Sequence, residues 1–479
     1  MTMKKSSDIS QTLPFYLFVA GVFLIIVCHG IFSNGMFLDG LIYSTVSKNL
    51  SDGIGTFWNP HFTTTCMPEF HEHPPLAFGI QSTFYSLFGE SRIVDRIYSL
   101  LTVVIAGYII RKIWKTLGYK YGWVPLFLWI ITPTVFWASY NNLLENTLTV
   151  FTSLSILFYL KNLLTKNYLF IFLSGFMLAL GFLTKGFVAF FPWTLPFLLW
   201  LFIKQKSFGK VSLDSAGIFF FTLMPLLLLI LFFPVARISL LKYIDHQVIS
   251  SLKDAITVES RFDIVKRLFS ELAPVASMYI LLLIWDRIRK PSTIFFNENS
   301  KQALVFILLG LTGVLPIMIS MKQSGFYIIP AYPFFAIGAG ILMYPLIDSL
   351  FTRMNFKSKG FLLFKWTAYG LFLTGIMLSL YFSDRFSRDS NKIKDTYTIS
   401  QEIPQGSIIN INPGMFNDWS LHGYFGRFKN ISLDPDLANK REYLLIKNEN
   451  FSDTLNLSYK KIKLNTNDYQ LLKRISNYR

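Results

Sequence analysis

From Leu13 to Phe382 the chain repeats one pattern, an apolar run followed by a short polar knot. Each run approaches the roughly 20 residues that an α-helix needs to cross a bilayer. Eleven such runs stand out, at about 13–32, 92–110, 122–139, 146–160, 168–184, 187–203, 215–236, 272–285, 302–319, 326–347 and 361–382. Helices are expected for them, because lipid offers unpaired backbone groups no partner. Near Tyr381 the pattern changes. The remainder is polar, with strand-like runs at 407–412 (SIININ), 442–447 (EYLLIK) and 459–464 (YKKIKL) between the turn-prone NPG and LDPD. The expected fold is an all-α polytopic membrane protein, residues 1–383, followed by a small α/β domain at 384–479 that covers the membrane domain or contributes to acceptor binding.

Composition fits this picture. Of 479 residues, 52% are hydrophobic and 49 are phenylalanine, more apolar surface than one water-soluble core would use. A net charge of +17 raises the question of nucleic acid, but the positions of the cations answer it. With Lys4 and Lys5 inside, the inward segments also hold Arg111, Lys112, Lys115 and Lys120, then Lys161 and Lys166, then Lys204, Lys206 and Lys210, then Arg287, Arg289, Lys290 and Lys301, and finally Arg353, Lys357, Lys359 and Lys365. The short outward loops hold only Lys185 and Lys322. That bias is the positive-inside pattern, and it needs no polyanionic partner. An odd number of spans places 384–479 outside with the long loops 33–91 and 237–271, the first apolar run being a retained span. Cys28 and Cys66 are too few for a disulfide framework and read as two separate thiols or, both lying toward the outer face, as one pair.

The outward side also collects Asp39, Glu69, Glu72, Asp95, Glu145, Asp245 and Glu259, with His61, His71, His73, His246 and His422. No carboxylate lies convincingly near the middle of a span. This counts against an ion-coupled transporter or a flippase for polyprenyl-linked sugars. Asp39 follows the first span in MFLDGLIYSTVSKNL, whose tail has the spacing of a helix lying along the membrane surface. There it suits a general base acting on an incoming hydroxyl or amine, or a cap for that helix. In PEFHEHPPLAF, Pro74 and Pro75 hold Glu72 and His73 in extended backbone, as a rigid acid and imidazole or as a stiff solvated loop. Lys185 and Lys322 sit at outward span ends, where a lysine balances a phosphate or snorkels.

Six stretches recur in a telling order: FLDGLIYSTVSKNL, HEHPPL, NNLLENTLTVF, GFLTKGFVAFFP, HQVISSL and MKQSGFYIIPAYPFFAI. Across residues 13–345 they resemble the bacterial aminoarabinose transferases and their relatives in the protein-mannosyltransferase-like branch of the type C glycosyltransferases. The resemblance implies an enzyme of the bacterial inner membrane that moves a sugar from a polyprenyl-phosphate donor, usually undecaprenyl phosphate, to lipid A, another glycan or a protein at the periplasmic face. Carried over, Asp39 is the acid that activates the acceptor and Glu72 is the loop acid. His73, Lys185, Lys322 and Tyr327 serve the donor phosphate, and Tyr43 and Glu145 serve substrate. Two positions depart from the family. Gly40 stands where many relatives have a second acid, and His73 stands where they have lysine. The resemblance also reaches a zinc-bearing relative, for which Glu72, His246 and His71 are the matching ligands. A phosphate leaving group does not itself require a metal.

Overall fold

A computed structural model describes residues 9–253, 256–289, 298–448 and 458–475. Lys4, Lys5 and Lys290 of the charge pattern lie outside the described residues. The chain divides into two compact units. One comprises Met1–Ile31, Ser99–Tyr140 and Leu144–Phe382, and the other Phe32–Tyr98, Asn141–Leu143 and Ser383–Arg479.

The first unit is the membrane domain. Among the described residues, eight helices are long and apolar enough to span: Arg92–Thr116, which begins in the second unit, then Leu144–Thr165, Leu169–Phe202, Phe208–Phe232, Asp263–Ile288, Asn299–Ile319, Gly325–Arg353 and Lys359–Tyr381. A shorter apolar helix, Gln11–Val27, lies where the first run was expected. The eleven expected spans are therefore regrouped. Residues 122–139 form two short helices, Trp123–Ile130 and Pro133–Ala138, parted where Pro133 cannot continue the preceding helix. The runs 168–184 and 187–203 join in Leu169–Phe202, inside which α-helix gives way to a 3-10 stretch, Gly186–Thr194. Gly186 has φ +77°, and a Cβ there would lie 1.8 Å from the Tyr243 hydroxyl, so only glycine fits the turn. Burial sorts the helices. Gly325–Arg353 is 78% buried in protein and Lys359–Tyr381 only 11%, so the former is central and the latter presents its apolar surface to lipid.

The second unit contains the five-stranded sheet. Its strands are β3 (Ile408–Ile411), β4 (Ser432–Asp434), β5 (Tyr443–Lys447), β6 (Tyr459–Lys461) and β7 (Tyr469–Arg474), after a small ribbon of β1 (Gly55–Thr56) and β2 (Asn59–Pro60). The order is β4-β3-β5-β7-β6, parallel in the first two pairings and antiparallel in the last two. Ile409, Ile411, Leu421, Phe425, Leu433, Leu445 and Leu471 form its core. His422 also belongs to this unit, fully buried, with Nε2 at 3.0 Å from the Phe416 carbonyl, and burial pushes its pKa down. It is a core histidine.

Residues 32–98 complete the second unit around this C-terminal segment. Thr65 donates to the Leu433 carbonyl at 2.6 Å, Thr64 N–H to Ser432 Oγ at 3.0 Å, and Ser387 N–H to the Asn34 carbonyl at 2.8 Å. Met36, Leu41, Ile393 and Tyr424 share a small apolar cluster.

Candidate active site

In the second unit two of the candidate side chains, Asp39 and Tyr43, hang on the helix Leu38–Ser51. Asp39 lies in its first turn, half-buried, where a carboxylate is favoured by the helix dipole. Phe37, not Asp39, is the N-cap residue, and its N–H donates to Asn141 Oδ1 at 2.9 Å. The expected surface helix is instead interior, with every residue from Gly40 to Asn49 buried. The helices Leu76–Phe88 and Trp419–Lys429 pack on it, so tertiary contacts override the amphipathic spacing.

Gly40 explains one departure from the family. A Cβ there would lie 1.8 Å from the Asn141 carbonyl oxygen, backbone that cannot swing aside. No second acid fits this position. Gly40→Ala is expected to destabilise the protein by about 1–3 kcal/mol through overpacking, read as a lower thermal midpoint in detergent.

One turn further, the Tyr43 hydroxyl meets His73 Nε2 at 3.0 Å, with the rings edge to face at 5.5 Å. Both side chains are buried. Ser47 donates to Gln81 Oε1 at 3.0 Å, Gln81 Nε2 to Asn142 Oδ1 at 3.1 Å, and Asn142 Nδ2 to the Gly40 carbonyl at 3.3 Å. This chain of amides locks the Asp39 helix to the helix that Pro74 and Pro75 introduce, Pro75 being its N-cap residue. Glu72 is half-buried beside them. The Cys66 thiol is pushed up to about 11 by burial first and by the negative charge of Glu72 second. His71 is buried, with Nε2 3.9 Å from Glu69. Gln81 and Asn142 were missed in the sequence, where a neutral amide has no signature.

In the first unit the acid and base of two separate motifs meet. Lys185 Nζ donates to Glu145 Oε1, and Glu145 is fully buried. The ammonium also lies over the Tyr327 ring at 4.9 Å and the Phe326 ring at 5.6 Å, so cation–π attraction adds to the pair. Lys322 donates to Gln247 Oε1 at 3.1 Å. Gln247 belongs to a π-helical stretch, Ile244–Ile249, a distortion found often at functional sites. His246 in the same stretch is exposed.

Two further buried carboxylates lie in the first half of spanning helices. Glu271 is 2% exposed, pairs with Arg267 at 2.8 Å and accepts from Thr134 N–H at 2.7 Å, anchoring the start of Pro133–Ala138. Asp214 pairs with Lys206 at 2.5 Å. Each is charge-balanced by its own cation, the arrangement of a structural pair.

Cys28 and Cys66 are both free thiols. Among the described residues no three His, Cys, Asp or Glu side chains group as metal ligands.

Comparison with known proteins completes the picture. A family described as dolichyl-phosphate-mannose-protein mannosyltransferase matches residues 72–237. The undecaprenyl phosphate-alpha-4-amino-4-deoxy-L-arabinose arabinosyl transferase 1 of Proteus mirabilis is 31% identical over 158 residues, 31% of this chain. The match spans 28% of that relative's length. ArnT from Cupriavidus metallidurans bound to undecaprenyl phosphate superposes with a TM-score of 0.68 at 14% identity, over 98% of this chain and 99% of that one. Its apo state gives 0.66 at 14% identity, over 96% and 97%. At such identity the likeness is one of fold. The family match runs through Glu72, His73, Glu145 and Lys185, and the fold shared with ArnT runs along nearly the whole chain, so the chain carries a segment similar to the dolichyl-phosphate-mannose-protein mannosyltransferases within an ArnT-like fold.

Proposed function

We propose that the chain transfers a sugar from a polyprenyl-phosphate donor, undecaprenyl phosphate in a bacterial inner membrane, to an acceptor at the periplasmic face. The acceptor classes are lipid A, another glycan or a protein. The observation that carries this reading is the coincidence of the family match with polar groups that the fold buries in pairs, Tyr43 with His73 and Glu145 with Lys185. The arabinosyl transferase of Proteus mirabilis is named for an undecaprenyl-phosphate sugar, and ArnT binds undecaprenyl phosphate, which supports the same donor class here.

In the reaction, Asp39 takes the proton from the acceptor hydroxyl or amine as its oxygen or nitrogen bonds to the anomeric carbon. The bond from that carbon to the phosphate oxygen breaks, and polyprenyl phosphate leaves with both electrons. In-line displacement inverts the anomeric centre. Glu72 orients the acceptor or the sugar. The Tyr43–His73 pair offers a hydrogen bond to the sugar or its phosphate.

The two lysines differ as phosphate ligands. The charge of Lys185 is already balanced by Glu145, whereas among the described residues Lys322 meets a neutral amide and no carboxylate within ion-pair distance, which favours it as the ligand of an anion. Lys322→Ala is expected to raise the KM for donor about 10- to 100-fold, with kcat less affected, and Lys322→Arg to restore part of the loss. Initial rates over a range of donor concentrations check this. An unchanged donor KM removes Lys322 from the phosphate site.

The orientation rests on the positive-inside pattern. A cysteine introduced at the exposed Lys447, with Cys28 and Cys66 replaced by serine, should react with a membrane-impermeant maleimide in intact spheroplasts. Labelling only after lysis would place the C-terminal segment inside.

A further inference from the structure

A cleft of about 240 Å³ opens in the second unit, where the ends of the helices Leu38–Ser51 and Leu76–Phe88 and the start of Arg92–Thr116 meet the helices Ser390–Gln401 and Trp419–Lys429. Asp39, Glu72 and His73 do not line it. Four cations do, Lys48, Arg92, Arg427 and Lys429, against the single carboxylate of Glu90.

These cations are held in place from behind. Lys48 leans on Asp52 at 2.6 Å and Glu90 at 3.3 Å, Arg92 on Asp384 at 2.8 Å, and Arg427 on Asp95 at 3.0 Å. Lys429 is different. Among the described residues it has no carboxylate within ion-pair distance, and its Nζ reaches only the Ile403 carbonyl at 3.5 Å. Arg92 also keeps donors in reserve, since its bonds to Ser383 and Asp384 both come from Nη2. Ser400, on the same wall and 3% exposed, has an Oγ with no hydrogen-bond partner among the described residues. Beside these donors stands a flat apolar surface, the Tyr397 ring stacked on Phe428 with centroids 3.8 Å apart. The Tyr397 hydroxyl is raised by burial, and the positive charges of Arg427 and Arg92 offset part of that rise, which puts the ring within the field of both guanidinium groups.

A guanidinium edge, an ammonium without a carboxylate and a buried hydroxyl donor together match a phosphate. An aromatic face next to them matches the apolar face of a sugar ring. We propose that this cleft binds a phosphorylated sugar residue, and that on the transfer reading above it is a subsite for a phosphate-bearing glycan acceptor, separate from the reacting groups. The second unit then holds the acceptor by its charge.

The test is equilibrium dialysis of the full-length protein in neutral detergent against radiolabelled glucose 1-phosphate. Saturable binding is expected, displaced by inorganic phosphate and not by glucose. Arg92→Gln and Lys429→Gln should each weaken it about tenfold or more, while Lys447→Gln, at an exposed lysine outside the cleft, leaves it unchanged. Absent binding, or equal binding by all four proteins, overturns the proposal. Displacement by phosphatidylglycerol micelles as readily as by phosphate also overturns it, since the site would then take any lipid headgroup. Because no donor or turnover is involved, binding without transfer in any preparation would retain the cleft and remove the transferase reading. Transfer without binding would do the reverse.

Discussion

Asp39→Asn is expected to lower sugar transfer by about 10²- to 10⁴-fold, the range that a positioned general base contributes, while donor binding and the thermal midpoint stay near those of wild type. The reason is geometric. Asp39 occupies the first turn of a helix that is buried from Gly40 to Asn49, so the amide replaces the carboxylate without disturbing packing. Phe37 is the N-cap residue and its N–H is satisfied by Asn141, so that donor does not depend on Asp39, and asparagine keeps an oxygen acceptor at the position. A large loss of rate with intact stability therefore separates proton transfer from a structural role. A variant that transfers as well as wild type moves the base elsewhere.

Lys185→Ala is expected to be the most damaging substitution for stability, at about 3–5 kcal/mol, because it strands the fully buried Glu145 carboxylate. Glu145→Gln should cost less, since the amide still accepts from the ammonium. The double variant Lys185→Met, Glu145→Leu removes both charges and should regain most of the lost stability, as replacing a buried pair by apolar residues is often neutral. Thermal unfolding in detergent reads all three. Near-wild-type stability of Lys185→Ala would show that the pair is not formed. The double variant is also informative about function, because a folded protein that has lost transfer assigns the pair to the site and not only to the core.

Much of this was legible in the chain. Apolar runs with alternating basic knots announced a polytopic protein, and the strands at 408–411 and 443–447 lay within the runs that alternation marked. What escaped has specific causes. The 122–139 run breaks because Pro133 starts a new helix, and hydropathy does not register that. β4, with three residues, is too short for its alternation to stand out. Glu271 fell one residue outside the expected span, although it lies within Asp263–Ile288. The motif acids and bases were visible singly, but Glu145 and Lys185 are 40 residues apart, and only packing of Leu144–Thr165 on Leu169–Lys185 joins them. The grouping of residues 32–98 with the C-terminal segment was likewise invisible, since it depends on backbone bonds such as that from Ser387 to Asn34. Gly40 looked like a weakened version of a family motif, and the close approach of Asn141 makes it a requirement.

The most direct measurement is transfer by the purified protein in liposomes from undecaprenyl-phosphate sugars radiolabelled in the sugar, with a membrane extract as the source of acceptor. The account predicts that label moves to an acceptor, that free undecaprenyl phosphate accumulates in equal amount, and that Asp39→Asn abolishes both. Donor that remains intact across the panel of sugars, or label that crosses the bilayer still attached to its carrier, would contradict it.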